Sequence, residues 1–240
     1  MKKALITGST KGIGKEIGLD LLDRDYHVIF NYAHDVKSAQ ELQDKLNDSR
    51  FPRIRGRFEI IKADLTYIEE LEKITKNIDK LDVLILNAGI TDKSPFGKIA
   101  LENWNKVFNV NLTNQFFLIQ ELKNKINSNG KIIFISSISG IIPDSVSISY
   151  GVSKAAINML VPYLAKEFAD KKITVNAIAP GYIMTDWHKS KSQAQLKRIA
   201  NKCLAGRLGT PEEVSKAVLS VIDNDFINGQ IIKVNGGFGL

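Results

Sequence analysis

The chain has 240 residues, 44% hydrophobic and 25% charged, with 33 Lys and Arg against 26 Asp and Glu for a formal net charge of +7. That composition is ordinary for a globular protein and long enough to bury one substantial core. The single Cys203 excludes an intramolecular disulfide and a multi-cysteine metal site, the three histidines stand at no chelating spacing, and the expected compartment is the reducing cytosol.

The opening MKKALITGST turns polar after Ile6, too soon for a signal-peptide core or a membrane span, and predicts a first strand over 4–7. No membrane partner is expected. Apolar runs of strand length follow at HVIFNY 27–32, FEIIKA 58–63, DVLILN 82–87, KIIFIS 131–136, ITVNAIA 173–179 and QIIKV 230–234. Segments of helical period separate them, such as Ile13, Ile17, Leu21 and Leu22, or Leu71, Ile74 and Ile78. The densest basic run, Arg50, Arg53, Arg55 and Arg57, has no interleaved aromatics and reads as a solvated connecting loop, so no nucleic-acid partner is expected. Buried strands alternating with helices predict an α/β, doubly wound, Rossmann-type parallel sheet of about seven strands with helices on both faces. With no repeat, low-complexity tract or Pro/Gly-rich linker, residues 1–240 read as a single domain.

In such sheets ligands sit beyond the carboxyl ends of the strands, near the point where strand order reverses. Those ends are Thr7 to Gly14, Ala63-Asp64-Leu65, Asn87-Ala88-Gly89, Ser136-Ser137 and Pro180-Gly181. TGSTKGIG follows a strand and opens a helix, where Gly8, Gly12 and Gly14 permit a tight turn and close approach to a pyrophosphate at the helix N-terminus. Farther on, Tyr150 and Lys154 stand four apart at the head of a helix, on one face, so that an ammonium lies beside a phenol. Alone, such a pair is more often an amphipathic tyrosine beside a solvated lysine.

TGSTKGIG, Asn87-Ala88-Gly89, Asn111, Ser137, Tyr150-x-x-x-Lys154 and PGYIMTD at 180–186 occur together in the order and approximate spacing of the short-chain dehydrogenase/reductase family, which the whole chain resembles. The resemblance implies a nicotinamide cofactor held by Gly8, Ser9, Thr10, Lys11, Gly12, Ile13 and Gly14. Asn31 and Tyr32 end the second strand, Asp64 and Leu65 would meet the adenine, and Asn87, Ala88 and Gly89 would line the adenosine ribose. Pro180, Gly181, Ile183 and Thr185 would hold the nicotinamide end. Phe30-Asn31-Tyr32-Ala33 carries no carboxylate to exclude a 2′-phosphate, and Lys11 can pair with one, so NADP(H) is expected over NAD(H), with Asp35 the nearest acid and His34 in support.

The same resemblance makes Tyr150 the proton donor, Lys154 the cation that lowers its pKa and holds the nicotinamide ribose, and Ser137 the hydroxyl that holds the substrate oxygen, with Ser136 and Ser139 as alternatives. Asn111 would kink a helix and seat a water leading to Lys154. Pro162 is expected to bend or unwind the helix beginning near Tyr150. Residues 182–205 are expected to form a substrate lid, with Trp187 and His188 facing substrate or solvent.

Within the family the chain is most similar to bacterial 3-oxoacyl-thioester reductases, acting on acyl carrier protein or acetoacetyl-CoA. The stretch 91–98 departs from their pattern, and of two basic carrier patches Lys171 and Lys172 match one while Ser128 and Asn129 replace the other. A reductase of a small ketone, sugar or polyol is the alternative, and a non-catalytic NADP-binding sensor a remoter one. The resemblance also implies a homotetramer.

Overall fold

The structure is a computed structural model, and it describes residues 1–48, 56–143 and 147–240. Seven strands form one wholly parallel sheet: β1 (Lys3–Ile6), β2 (His27–Tyr32), β3 (Phe58–Lys62), β4 (Leu81–Leu86), β5 (Ile126–Ile135), β6 (Thr174–Pro180) and β7 (Ile231–Val234). Their spatial order is β3-β2-β1-β4-β5-β6-β7, so the winding reverses between β1 and β4. The expected seven-stranded doubly wound sheet is what the chain forms.

Parallel strands buried on both faces need apolar side chains at every position, and the pleat sends neighbours to opposite layers. Leu5 faces one layer while Ala4 and Ile6 face the other; Leu84 and Leu86 likewise oppose Val83 and Ile85. The first layer is closed by α3 (Leu71–Thr75), α5 (Asn114–Leu122) and α6 (Ile148–Glu167) through Leu71, Ile74, Leu118, Ile119, Ile157 and Val161. The second is closed by α1 (Gly12–Asp23), α2 (Val36–Asn47) and α8 (Pro211–Ile222) through Ile17, Leu21, Leu42, Leu46, Val214 and Val218. Each of these side chains contributes about 1.5–3 kcal/mol by leaving water. Among the described residues no helix is long and apolar enough to cross a membrane.

Between α4 (Leu101–Phe108) and α5, residues Asn109–Thr113 form one π-helical turn, the expected kink at Asn111. At Pro162 the helix is not unwound: α6 runs unbroken through it, with Ile157, Val161 and Leu164 buried on either side. Of the basic run, Arg50, Arg53 and Arg55 lie outside the described residues, and Arg57 pairs with Asp25 at 2.6 Å.

Gly18 sets how closely α1 approaches the sheet, since a Cβ there would stand 2.1 Å from Cε1 of the buried Phe30. Gly18→Ala should therefore destabilise the fold by about 1–3 kcal/mol, lowering the Tm by roughly 3–10 °C in a thermal melt.

Candidate active site

Beyond the divergence of β1 and β4 lies a cavity of about 720 Å³. Its floor is the first glycine loop. Gly8 and Gly12 take φ of +59° and +57°, and a Cβ on Gly8 would stand 2.9 Å from the Cα of Ala88. Gly14 has to lack a side chain for packing: a Cβ would meet Asn87 Nδ2 at 2.5 Å. Helix α1 has no side-chain N-cap and no acid in its first turn, whereas α2 is capped by Asp35 and α8 by a Thr210/Glu213 capping box. Its first-turn N–H groups are thus left open toward the cavity, the arrangement that receives a phosphate.

Nineteen of the residues singled out from the sequence line that cavity. Gly8, Thr10, Lys11, Gly12 and Ile13 line its floor, Asn31, Tyr32, Asp64 and Leu65 one end, Asn87, Ala88 and Gly89 the middle, and Ser137, Tyr150, Lys154, Pro180, Gly181, Ile183 and Thr185 the other end. Ser9, Gly14 and Asn111 do not line it. Ser9 is fully buried, its Oγ donating to the Ile6 carbonyl at 2.7 Å and accepting from the Asn31 N–H at 3.0 Å, so it ties β1 to β2.

At the β2 end, Asn31 accepts from the Gly8 N–H at 3.2 Å and donates to the Ala63 carbonyl at 3.0 Å. Asp64 accepts from the Thr66 N–H at 2.8 Å and stands 3.1 Å from His34 Nε2. Lys11 Nζ lies 2.6 Å from Asp35 Oδ2. That hydrogen bond and the Ser38 N–H hold the Asp35 carboxyl down to about 2. The acid nearest the cation is therefore already its partner.

At the opposite end, the Ser137 side chain stands on the same cavity wall as the Tyr150 phenol and caps the 3₁₀ turn Ile138–Gly140 by accepting from the Ser139 N–H at 3.1 Å. Ser136 is turned away, its Oγ bonded to Asn158 Oδ1 at 2.6 Å. Lys154 is buried, its Nζ donating to the Ile135 carbonyl at 2.7 Å and lying 5.6 Å from the Tyr150 ring centre. Burial lowers the lysine to about 7. Burial also raises the phenol, against the Ser137 hydrogen bond. The expected lowering of Tyr150 by an adjacent ammonium is thus corrected: desolvation sets both directions, because the ammonium is spent on a carbonyl and is itself costly to charge.

Asn111 accepts from the Ile90 N–H at 2.8 Å and donates to the Ile90 carbonyl and Ser153 Oγ, each at 3.0 Å. It locks the strand-four loop to α6 beside Lys154. The segment after β6 carries the 3₁₀ turn Asp186–His188 and α7 (Gln193–Ala200). The Trp187 ring stands 5.7 Å from that of Tyr150, so it faces the phenol. His188 is buried against Tyr182, and burial lowers its pKa.

Sequence reasoning missed three supports. Thr7 Oγ1 accepts from the N–H groups of Asn87 and Ala88, both at 3.0 Å. Gln115 Nε2 donates to the Ala88 carbonyl at 2.6 Å. Asn158 bonds Ser136 and the Gly140 carbonyl. Only Asn158, one turn beyond Lys154 on the same helix face, carried a spacing signal.

Residues 2–196 match the short chain dehydrogenase family. The chain is 35% identical to the 3-oxoacyl-[acyl-carrier-protein] reductase of Buchnera aphidicola subsp. Baizongia pistaciae, across 98% of this chain and 96% of that protein. It is 33% identical to a hydroxynaphthalene reductase-like protein of Metarhizium robertsii, across 98% and 94%. The solved RhlG/NADP active-site complex of Pseudomonas aeruginosa is similar at a TM-score of 0.88 and 28% identity, covering 100% of this chain and 96% of that one. The chain belongs to the short-chain dehydrogenase family, and is an oxidoreductase of that class.

The buried lysine makes stability depend on pH. Between about 7, its folded value, and the ordinary 10.5, the unfolded chain holds a proton that the folded chain does not. Stability should therefore rise through that window, and the penalty should be fully present below it, amounting to a few kcal/mol. Urea unfolding across the window should show the rise, and Lys154→Met should remove it.

Proposed function

We propose that the protein is an NADPH-dependent ketoreductase that reduces a 3-oxoacyl thioester, carried on acyl carrier protein or CoA, to the 3-hydroxyacyl thioester. The observation that carries this reading is the convergence of Ser137, Tyr150 and the buried Lys154 on one wall of the cavity. The 35% identity to a 3-oxoacyl-[acyl-carrier-protein] reductase supports the substrate. Residues 182–205 act as the lid.

The cavity residues fit a nicotinamide dinucleotide. The uncapped α1 N-terminus and the Gly8 and Gly12 turns suit the pyrophosphate, and a Cβ on Gly12 would reach within 3.6 Å of Thr185 across the cleft. Lys11, with His34 nearby, is the cation for a 2′-phosphate, sharing its charge with Asp35. The NADP complex of the similar RhlG structure supports the same choice.

Bound NADPH would supply a hydride; this chain's part is to hold the ketone oxygen and deliver a proton to it. Ser137 Oγ and the Tyr150 phenol donate to that oxygen as its negative charge develops. The raised phenol stays protonated at neutral pH, which suits an acid in the reductive direction. Lys154, near 7 and held by the Ile135 carbonyl, can carry the replacement proton. Trp187 covers the phenol and excludes water.

A second reading shares this chemistry but takes a cyclic or aromatic ketone, or a small ketone, sugar or polyol. It is favoured by the hydroxynaphthalene reductase-like relative and by the flat Trp187 ring over Tyr150. We also propose a homotetramer, supported by the exposed Val152, Met159 and Tyr163 on α6; a monomer by light scattering would refute it.

NADPH oxidation with acetoacetyl-CoA and an acetoacetyl carrier protein, beside cyclic ketones and sugars, tests the substrate: turnover of the cyclic ketones alone would move the protein to the second reading. Tyr150→Phe should lower kcat by about 10²–10⁴-fold while NADPH binding persists, and near-normal turnover would overturn the mechanism. Lys11→Glu should cost NADPH about tenfold or more in kcat/KM and spare NADH. Equal use of both coenzymes by the wild-type chain would contradict the NADP assignment.

A further inference from the structure

From Trp187 to Pro211 the chain holds no Asp or Glu but six cations: Lys189, Lys191, Lys197, Arg198, Lys202 and Arg207. With those six charges set aside, the rest of the chain holds 27 Lys and Arg against 26 Asp and Glu, a net of +1. Most of the protein's excess positive charge thus lies on the segment after β6. Lys189 pairs with Asp186 at 2.8 Å, and Arg207 makes a bidentate pair with Glu213. Lys191, Lys197 and Arg198 make no ion pair among the described residues. The helix dipole accounts for the two cations in the last turn of α7, but not for those on either side.

None of the six lines the cavity, so they form no enclosed phosphate pocket. They spread along a loop and the eight residues of α7, about 12 Å of helix. Leu204, Met184 and Trp187 of the same segment are exposed, Leu204 by 75%. Three cations without an ion pair, Lys191, Lys197 and Arg198, on a segment that also exposes apolar side chains fit a broad acidic protein surface rather than a compact anion. Lys171, half of the carrier patch expected from the resemblance, instead points its Nζ at the Lys123 carbonyl, 3.0 Å away.

We infer that the face formed by Lys191, Lys197, Arg198 and Leu204 docks an acidic carrier protein, which presents its thioester-linked substrate to the cavity beneath. This rests on the thioester reading above. The test compares an acetoacetyl group on a bacterial acyl carrier protein, on CoA and on N-acetylcysteamine, at low and high salt. The variants are the reversal Lys191→Glu/Lys197→Glu/Arg198→Glu and the neutral Lys191→Gln/Lys197→Gln/Arg198→Gln, each checked by thermal melt.

The reversal should lower kcat/KM for the carrier-linked substrate about 10–100-fold more than for the N-acetylcysteamine thioester, and flatten the salt dependence of the carrier reaction. The neutral variant should show the same selective loss to a smaller degree, over and above whatever loss the lid substitutions impose on all three thioesters. Unchanged kcat/KM on the carrier, loss confined to the CoA substrate, or equal loss on all three thioesters would each overturn the docking surface. If the wild-type chain reduces none of the three, the thioester reading itself fails and the docking face falls with it.

Discussion

Where β1 and β4 part, the chain leaves the sheet in two directions, and the backbone groups there must be satisfied without a strand ladder. Thr7 and Asn87 meet that need together. The threonine hydroxyl accepts from the Asn87 and Ala88 N–H groups, and the asparagine amide donates to the Thr7 and Gly8 carbonyls at 3.0 and 2.7 Å. Gln115 holds the Ala88 carbonyl from below, and Asn111 holds both polar groups of the Ile90 backbone. Four side chains thus hold the crevice, and both ends of the cavity refer to it.

The site's electrostatics follow from the same burial. Lys154 lies under the end of β5, buried and hydrogen-bonded to the Ile135 carbonyl, so charging it is costly and its pKa falls to about 7. Tyr150 is pushed the other way by the same desolvation. Two groups that in water titrate close together, near 10 and 10.5, are moved apart. One remains a proton donor and the other can exchange protons near neutrality, a separation that suits an acid and its proton supply. No added charge is needed to produce it, only the closeness of the sheet and of Trp187.

Behind Tyr182, at the Tyr150 end of the cavity, the last residues of the chain pack against the segment after β6. Phe238 is buried between Ile138 and Cys203 and meets the Tyr182 ring at 5.5 Å, while the Ala205 N–H donates to the Gly236 carbonyl at 3.0 Å. A side chain on Gly239 would stand 2.4 Å from Ile142, next to the turn that Ser137 caps. The serine, the segment after β6 and the C-terminal glycines therefore form one packed unit.

The sequence alone determined the sheet, its parallel sense and the strand ends that bear the site, because two-sided burial demands continuous apolar runs and the turns between them demand glycine and polar residues. It also placed Tyr150 and Lys154 on one helix face, since helical spacing is local. Tertiary structure decided what spacing does not encode. Ser9 turned inward as a tie between strands, Ser136 toward Asn158, and the Lys11 ammonium onto Asp35, because each found a closer partner from a distant part of the chain. Pro162 was absorbed without unwinding α6 because buried side chains on both sides of it hold the helix in the layer. The pKa directions of Tyr150 and Lys154 depend on how much water the fold removes, a property of the assembled layers and of no single segment.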